Sequence, residues 1–426
     1  MIFCKKAGWG MALLFLCLIF GTGRTQKIEA AVQNVPESLE EESRLDTVGT
    51  DQETERAAVR EKKGQQEKEA GDTETDQAAA AQDELLAELD FDAIQQEVDS
   101  LLSSQQFSFA GTVRSLLQDG DPFRTFRAGN AVLSCAKTAF LAQKGLMKEL
   151  FLLVLAGAVL GSFSSLFEGK QVRDASFYMV YLLALALILK NFQSSGENLK
   201  AVITSLVAFM RILTPSYYLA AAGGASSAVM FYQMLLLVIL AVEKLLLALV
   251  LPMIHIYLLI ALVNDLSGEE ILSHMTELLE TCVNGLLKSS LGVLVGMQMI
   301  RNLIAPALDS LRQMALWRTA GMIPGIGNAV NAVTELVAGS AVLIRNCFGV
   351  TAMLVLLAAG MVPAVQLLVS GLSFRLLAAA AQPVSDKRIA GCLAAAGKGY
   401  AMLLRLLLTV EILFLLTIAI LAGTFS

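Results

Sequence analysis

The feature that most constrains this chain is an apolar run of 36 residues, 228–263, interrupted only by isolated polar positions. As a helix rising 1.5 Å per residue it would reach about 54 Å, well past a hydrocarbon core of about 30 Å. It must tilt and break, with Pro252 as the natural break, or it holds two spans. Further apolar stretches occupy 150–167, 175–193, 200–222, 283–304, 345–370 and 400–423. The fold class this implies is all-α: a polytopic helical membrane protein with about seven spans and broken helices. Charged residues are 16% of the chain and apolar residues 55%. An ordinary globular domain carries about 25% charged residues. A disordered chain, a disulfide-rich secreted domain and a basic nucleic-acid binder are excluded as descriptions of the whole.

Charge is unevenly placed. Residues 31–110 hold 21 of the 38 acidic residues and 6 basic ones, for a net charge of −15. Residues 1–30 are net +3 and residues 111–426 net +6. At the start, Lys5 and Lys6 precede an apolar run from Trp9 to Phe20, and small residues follow at Gly21–Gly23 and Ala30–Ala31. These are the parts of a signal peptide over 1–30, with an uncleaved anchor as the alternative. Residues 31–82 are an acidic stretch too poor in apolar side chains to offset the entropy of ordering, and read as a disordered tether. Over 83–148 amphipathic helices on the exported side are expected. Leu85, Leu86, Leu89, Ile94, Val98, Leu101 and Leu102 recur at helical spacing, then Phe109, Val113, Leu116 and Leu117. A third pattern, Val132–Met147 with Lys137, Lys144 and Lys148, fits a helix on the membrane surface feeding the first span. The polytopic domain then fills 149–426.

Loop charges orient the spans only in part. The acidic 264–280 connection belongs outside, whereas 305–346 (Arg312, Arg318, Arg345) and 371–399 (Arg375, Lys387, Arg388, Lys398) both read as inside. They flank one apolar segment, so either it is re-entrant or the rule fails there. Shifting the chain by 110 residues brings Cys282 onto Cys392 and Lys288 onto Lys398, with Pro252 within one residue of Pro363 and Pro215 within one of Pro324. This is a candidate internal repeat over 205–305 and 315–415, of the kind that builds transporter and channel folds.

Chemistry-bearing residues are few. The six cysteines form no C-x-x-C pair, and His255 and His274 are the only histidines. Phosphate-loop, zinc-protease and serine-hydrolase motifs are absent, so no enzyme, metal or cofactor is expected. Candidate cavity or helix-break positions are Pro215, Pro252, Pro324, Gly325, Gly327 and Pro363. The run Ile323–Asn328 reads as a re-entrant turn or as a plain helix–helix turn. Candidate intramembrane polar positions are Glu243, Lys244, His255, Arg405 and Glu411, because a charge at mid-bilayer costs at least about 2.5 kcal/mol. If the long run is two spans, Glu243-Lys244 is a loop. Arg405 and Glu411 lie about 240° apart around a helix and do not pair with each other. His255 reads more readily as a hydrogen-bonded core residue than as a proton relay, and Lys190 as a snorkelling residue near a segment end.

The chain also carries Leu-Asp-Phe-Asp-Ala-Ile-Gln (89–95), Ile-Pro-Gly-Ile-Gly-Asn-Ala-Val (323–330), Leu-Ile-Arg-Asn-Cys-Phe-Gly (343–349) and Ala-Ala-Ala-Ala-Gln-Pro-Val-Ser-Asp (378–386). With a signal peptide, an exported segment and a polytopic body, this resembles the stage III sporulation protein AE family of endospore-forming Firmicutes. The resemblance covers most of the chain after residue 83, while the Glu/Gln-rich 40–80 is not a family feature. It implies a multi-pass protein of the mother-cell membrane around the forespore, with the N-terminal segment on the exported side. It implies work with other stage III A sporulation proteins and a forespore membrane partner, in a channel or secretion-like complex that supports late forespore development. Lipid is the expected surround, homo-oligomerisation a candidate, and no nucleic acid or catalytic residue is implied. Two other readings stand beside it: an autonomous secondary transporter of a small solute, and a scaffold that recruits partners through 83–148.

Overall fold

A computed structural model of the protein describes residues 91–102, 107–119, 128–164, 170–221, 226–267, 272–320, 327–383 and 385–423. The expected signal peptide, the tether, Pro324 and Gly325 lie outside these residues. Within them the chain is all-helical, with nine α-helices and one π segment and no strand.

The first two helices, α1 (Phe91–Leu101) and α2 (Phe109–Asp119), form a hairpin. Spacing of three and four turns Ile94, Val98, Phe109 and Val113 inward, all fully buried. Gln95 ties the two helices together. Its Nε2 donates to the Phe107 carbonyl at 2.7 Å and its Oε1 accepts the Phe109 N–H at 2.8 Å, which satisfies a donor at the start of α2. The hairpin lies on the long helices through an aromatic triad. Phe109 meets Phe348 edge-on at 5.0 Å, and Phe91 lies 6.3 Å from Phe348.

Helix α3 (Ala128–Ser164) runs unbroken from the expected surface helix into the first apolar stretch. The two are one rod, across the expected boundary at 148/149. Helix α4 (Lys170–Ala221) likewise joins the 175–193 and 200–222 stretches. No proline separates them, and the lone Gly196 costs only about 1 kcal/mol of helix propensity. Lys190, expected near a segment end, is therefore in the interior of a continuous helix.

The 36-residue run is also one rod: α5 (Ser226–Leu245), a π segment (Leu246–Val250) and α6 (Leu251–Ser267). Glu243-Lys244 sits in the last turn of α5, so the loop alternative does not apply. The wide turn precedes Pro252, where the Leu251 N–H reaches back five residues to the Leu246 carbonyl. A proline ring crowds the carbonyls of the turn before it, and a widened turn relieves the crowding without breaking the rod. The remaining helices are α7 (Ser273–Ala320), α8 (Gly327–Ala381) and α9 (Lys387–Gly423). Pro363 lies inside α8, which continues through it. Asp386 starts α9 by accepting the Arg388 N–H on Oδ1 at 3.0 Å.

Close approaches fix how the rods run. Gly371 packs on Tyr400 and Gly360 on Glu411, so α8 and α9 are antiparallel. The Tyr181 hydroxyl donates to the Leu262 carbonyl at 2.6 Å and Gly196 meets His255, so α4 and α6 are antiparallel. Gly157 packs on Val180 and Ile389, and the Asp265 carboxyl lies against Gly391. The end of α6 and the start of α9 therefore share one end of the bundle. This corrects the loop-charge reading that put 264–280 and 371–399 on opposite sides. Aspartate and glutamate contribute little to orientation, and Arg375 and Lys398 lie within helices rather than in a connection. Because α8 is one continuous helix, a re-entrant pair is not formed between residues 343 and 381.

Among the described residues, five helical segments are long and apolar enough to cross a membrane: Tyr178–Leu213, Leu236–Ser267, Ser273–Ile300, Leu343–Ala381 and Lys387–Ala419. Their shared core includes Phe192, Ile203, Leu258, Phe374 and Leu403.

Candidate functional site: polar groups buried between the long helices

Halfway along the bundle, α4, α6, α8 and α9 enclose a polar and aromatic cluster. Its hub is Tyr400 on α9, fully buried. Its hydroxyl accepts from Asn191 Nδ2 at 2.7 Å and lies 3.2 Å from Ser195 Oγ. Ser195 gives its own hydrogen to the Asn191 carbonyl at 3.0 Å, so Tyr400 donates to Ser195. The Tyr400 ring stacks on Phe374 at 5.3 Å and meets Phe192 edge-on at 5.2 Å. Phe192 in turn meets the His255 ring at 5.3 Å.

His255 is held by its own helix. Nδ1 lies 2.8 Å from the Leu251 carbonyl, an acceptor only, so Nδ1 is the donor. The other edge of the ring faces Gly196, where an added methyl would stand 2.5 Å from Nε2. Glycine at 196 is thus a close-approach residue, and the helix–helix distance depends on it.

Two carboxyls lie nearer the other end. Glu243 is 7% exposed and Glu411 1%, and in each the Oε2 atom has no hydrogen-bond partner among the described residues. Glu243 closes a small apolar cleft lined by Ile239, Leu246, Val410, Leu413 and Phe414, directly before the π turn. Glu411 rests on α8 at Gly360, where an added methyl would overlap its carboxyl. One turn further along α8, Pro363 lacks the N–H that would otherwise reach the Ala359 carbonyl. A buried polar atom left unpaired is uncommon enough to mark a position of interest.

The other sequence candidates are dispersed. Lys244 is exposed beside Glu243. Arg405 leaves α9 in another direction from Glu411 and donates to Asn284 Oδ1 on α7 at 3.0 Å. Pro252 follows the π turn, Pro363 lies within α8, Pro215 is inside α4 and Gly327 begins α8. Asn191, Ser195, Tyr400, Gly196 and Gly360 were not singled out from sequence. Each is an ordinary residue type whose role depends on which helix comes to face it. No group of three His, Cys, Asp or Glu among the described residues is placed to hold a metal ion.

The chain matches the family model described as stage III sporulation protein AE over residues 107–424. It is also similar to the stage III sporulation protein AE of Bacillus subtilis (strain 168), at 22% identity over 291 residues, covering 67% of this chain and 73% of that protein. No solved structure matches it.

Proposed function

This chain belongs to the stage III sporulation protein AE family, and from that we propose that it is a non-enzymatic, multi-pass membrane subunit of a sporulation envelope complex. The complex is a channel or secretion-like apparatus between mother cell and forespore, needed for late forespore development. A role in sporulation follows from the family; the conduit is our reading. Its main support is the combination of five helical segments of membrane-spanning length with polar groups sequestered between them. Helices that served only as an anchor would have no use for buried Glu243 and Glu411, because each carboxyl lowers the stability of the bundle that holds it.

In this proposal the protein sits in the mother-cell membrane around the forespore. A signal peptide over 1–30 exports the acidic tether and the α1–α2 hairpin, and the body contributes at least the five segments of spanning length, fewer than the seven apolar stretches suggest because α4 joins two of them. Its partners are the other stage III A proteins and a forespore membrane protein. The segments 205–305 and 315–415 are duplicated copies, in which Pro252 and Pro363 precede α7 and α9. Disruption of the gene in an endospore former should abolish late forespore-specific reporter expression, and the full-length chain should restore it. Sporulation at the parental frequency without the chain would overturn the reading.

A second reading, an autonomous secondary transporter, is favoured by the buried cluster of Asn191, Ser195, His255 and Tyr400 between the long helices. Transporters of that kind bind solute at polar groups between helices. Purified chain reconstituted alone should then drive solute uptake under an ion gradient, whereas a subunit that needs its complex should leave the vesicles silent.

A further inference from the structure

Among the buried polar groups, Glu411 on α9 is distinguished by its isolation. Its side chain is 1% exposed, and Oε2 has no hydrogen-bond partner among the described residues. No charged group among them acts on it either. Glu243, the other buried carboxyl, has Arg211 and Lys244 within electrostatic reach. Arg405, six residues before Glu411, turns away to Asn284 on α7. Along α8 the nearest charged residues are Arg345 and Arg375, each fifteen residues from Gly360, or about 22 Å at 1.5 Å per residue. An ionised carboxylate here would have neither a counter-charge nor a donor. A carboxyl so enclosed takes up a proton rather than stay charged.

The backbone it rests on has an acceptor to spare. Glu411 is pressed against α8 at Gly360, the one residue type that leaves room for it. The Ala359 carbonyl adjoins Gly360. In an unbroken ladder it would take the N–H of the residue four ahead, which is Pro363 and has none. A carboxylic acid carries one O–H donor, and a carboxylate carries none. The acid form therefore gives both the carboxyl and the carbonyl a partner. The ionised form leaves both without one and sets a bare charge beside a carbonyl oxygen.

We propose that Glu411 is a proton-binding site, held as the neutral acid between α8 and α9 with its hydroxyl hydrogen given to the Ala359 carbonyl. Three positions build it. Glu411 carries the proton, Gly360 lets the carboxyl reach the backbone, and Pro363 frees the acceptor. Loss of the proton favours separation of α9 from α8, because a buried charge without a partner is relieved only by water. Proton occupancy and the α8–α9 contact are thus coupled. The inference stands on the packing of these two helices and goes beyond the envelope-complex reading without resting on it.

Infrared spectroscopy of the full-length chain in detergent tests this at neutral pH, where exposed carboxyls are ionised. The wild-type spectrum minus that of Glu411→Gln should contain the carbonyl stretch of a neutral carboxylic acid. A carboxylate band in its place would overturn the proposal. In a Pro363→Ala background the Ala359 carbonyl regains a helical donor, and the same difference should show the acid band at higher frequency. An unmoved band would overturn Ala359 as the acceptor. Dicyclohexylcarbodiimide gives a second readout that needs no variant. The acid O–H adds across one C=N bond, and the O-acylisourea rearranges to an N-acylurea, so the peptide gains the whole reagent and nothing leaves. Peptide mass spectrometry should find Glu411 labelled about ten-fold more than the exposed Glu197 and Glu277, because the addition starts from the protonated, water-excluded carboxyl. Labelling at Glu411 no higher than at those two would overturn the proposal. Protection by sodium chloride but not by choline chloride would also overturn it, and would assign the site to a metal cation. Neither measurement reads sporulation, so neither outcome bears on the subunit reading.

Discussion

Gly360 shows how a single missing side chain governs the inside of the bundle. It makes room on α8 for the Glu411 carboxyl, and an added methyl has nowhere to go. Gly360→Ala is expected to lower stability by about 1–3 kcal/mol, the usual effect of overpacking. Glu411→Ala in the same chain should restore most of it, and Glu411→Gln, which keeps the shape, should not. Thermal unfolding of the four proteins in detergent measures the coupling. Tyr400 offers a gentler change. Tyr400→Phe keeps the contacts with Phe374 and Phe192 and removes the hydroxyl from between Asn191 and Ser195. A loss of about 1 kcal/mol is expected, and a drop in melting temperature reports it. Glu411 could be picked out from sequence because a carboxyl in an apolar run is conspicuous. Gly360, 51 residues earlier and on another helix, could not, since sequence carries no mark of which glycine will receive it.

At the scale of the element, periodicity was a good guide to where helices form and a poor one to where they end. The amphipathic patterns around Ile94 and Phe109 correspond to α1 and α2, because each buries one face on neighbours. The long rods were divided too often. The polar interruption at 194–199 marks the close of one apolar stretch and the start of the next in sequence, yet a helix needs only its own hydrogen bonds to continue through it. Proline was likewise read as a break, and the chain absorbs it by widening one turn before Pro252. Within the hairpin, Gln95 is the element-scale test. Gln95→Ala removes both ties across the α1–α2 turn. The Phe109 amide should then exchange with solvent deuterium about ten-fold faster, as fits the loss of about 1.4 kcal/mol of local stability.

For the whole molecule, the antiparallel order of the rods makes a prediction about sidedness. The starts of α7 and α9 share one end of the bundle, and the start of α5 belongs to the other. Ser273→Cys and Ser385→Cys should therefore react with an impermeant reagent from the same face of sealed vesicles, and Ser226→Cys from the opposite face. Loop charges could not supply this arrangement, because it is fixed by contacts such as Asp265 with Gly391 and Gly157 with Val180. The α1–α2 hairpin adds a matter of timing. Its apolar side is completed by Phe348, which the ribosome makes more than half a chain later than Phe109. At synthesis rates of about 5–20 residues per second, that side stays uncovered for on the order of ten seconds or more. In a nascent chain, the part of that side which α8 covers is therefore expected to wait for Phe348.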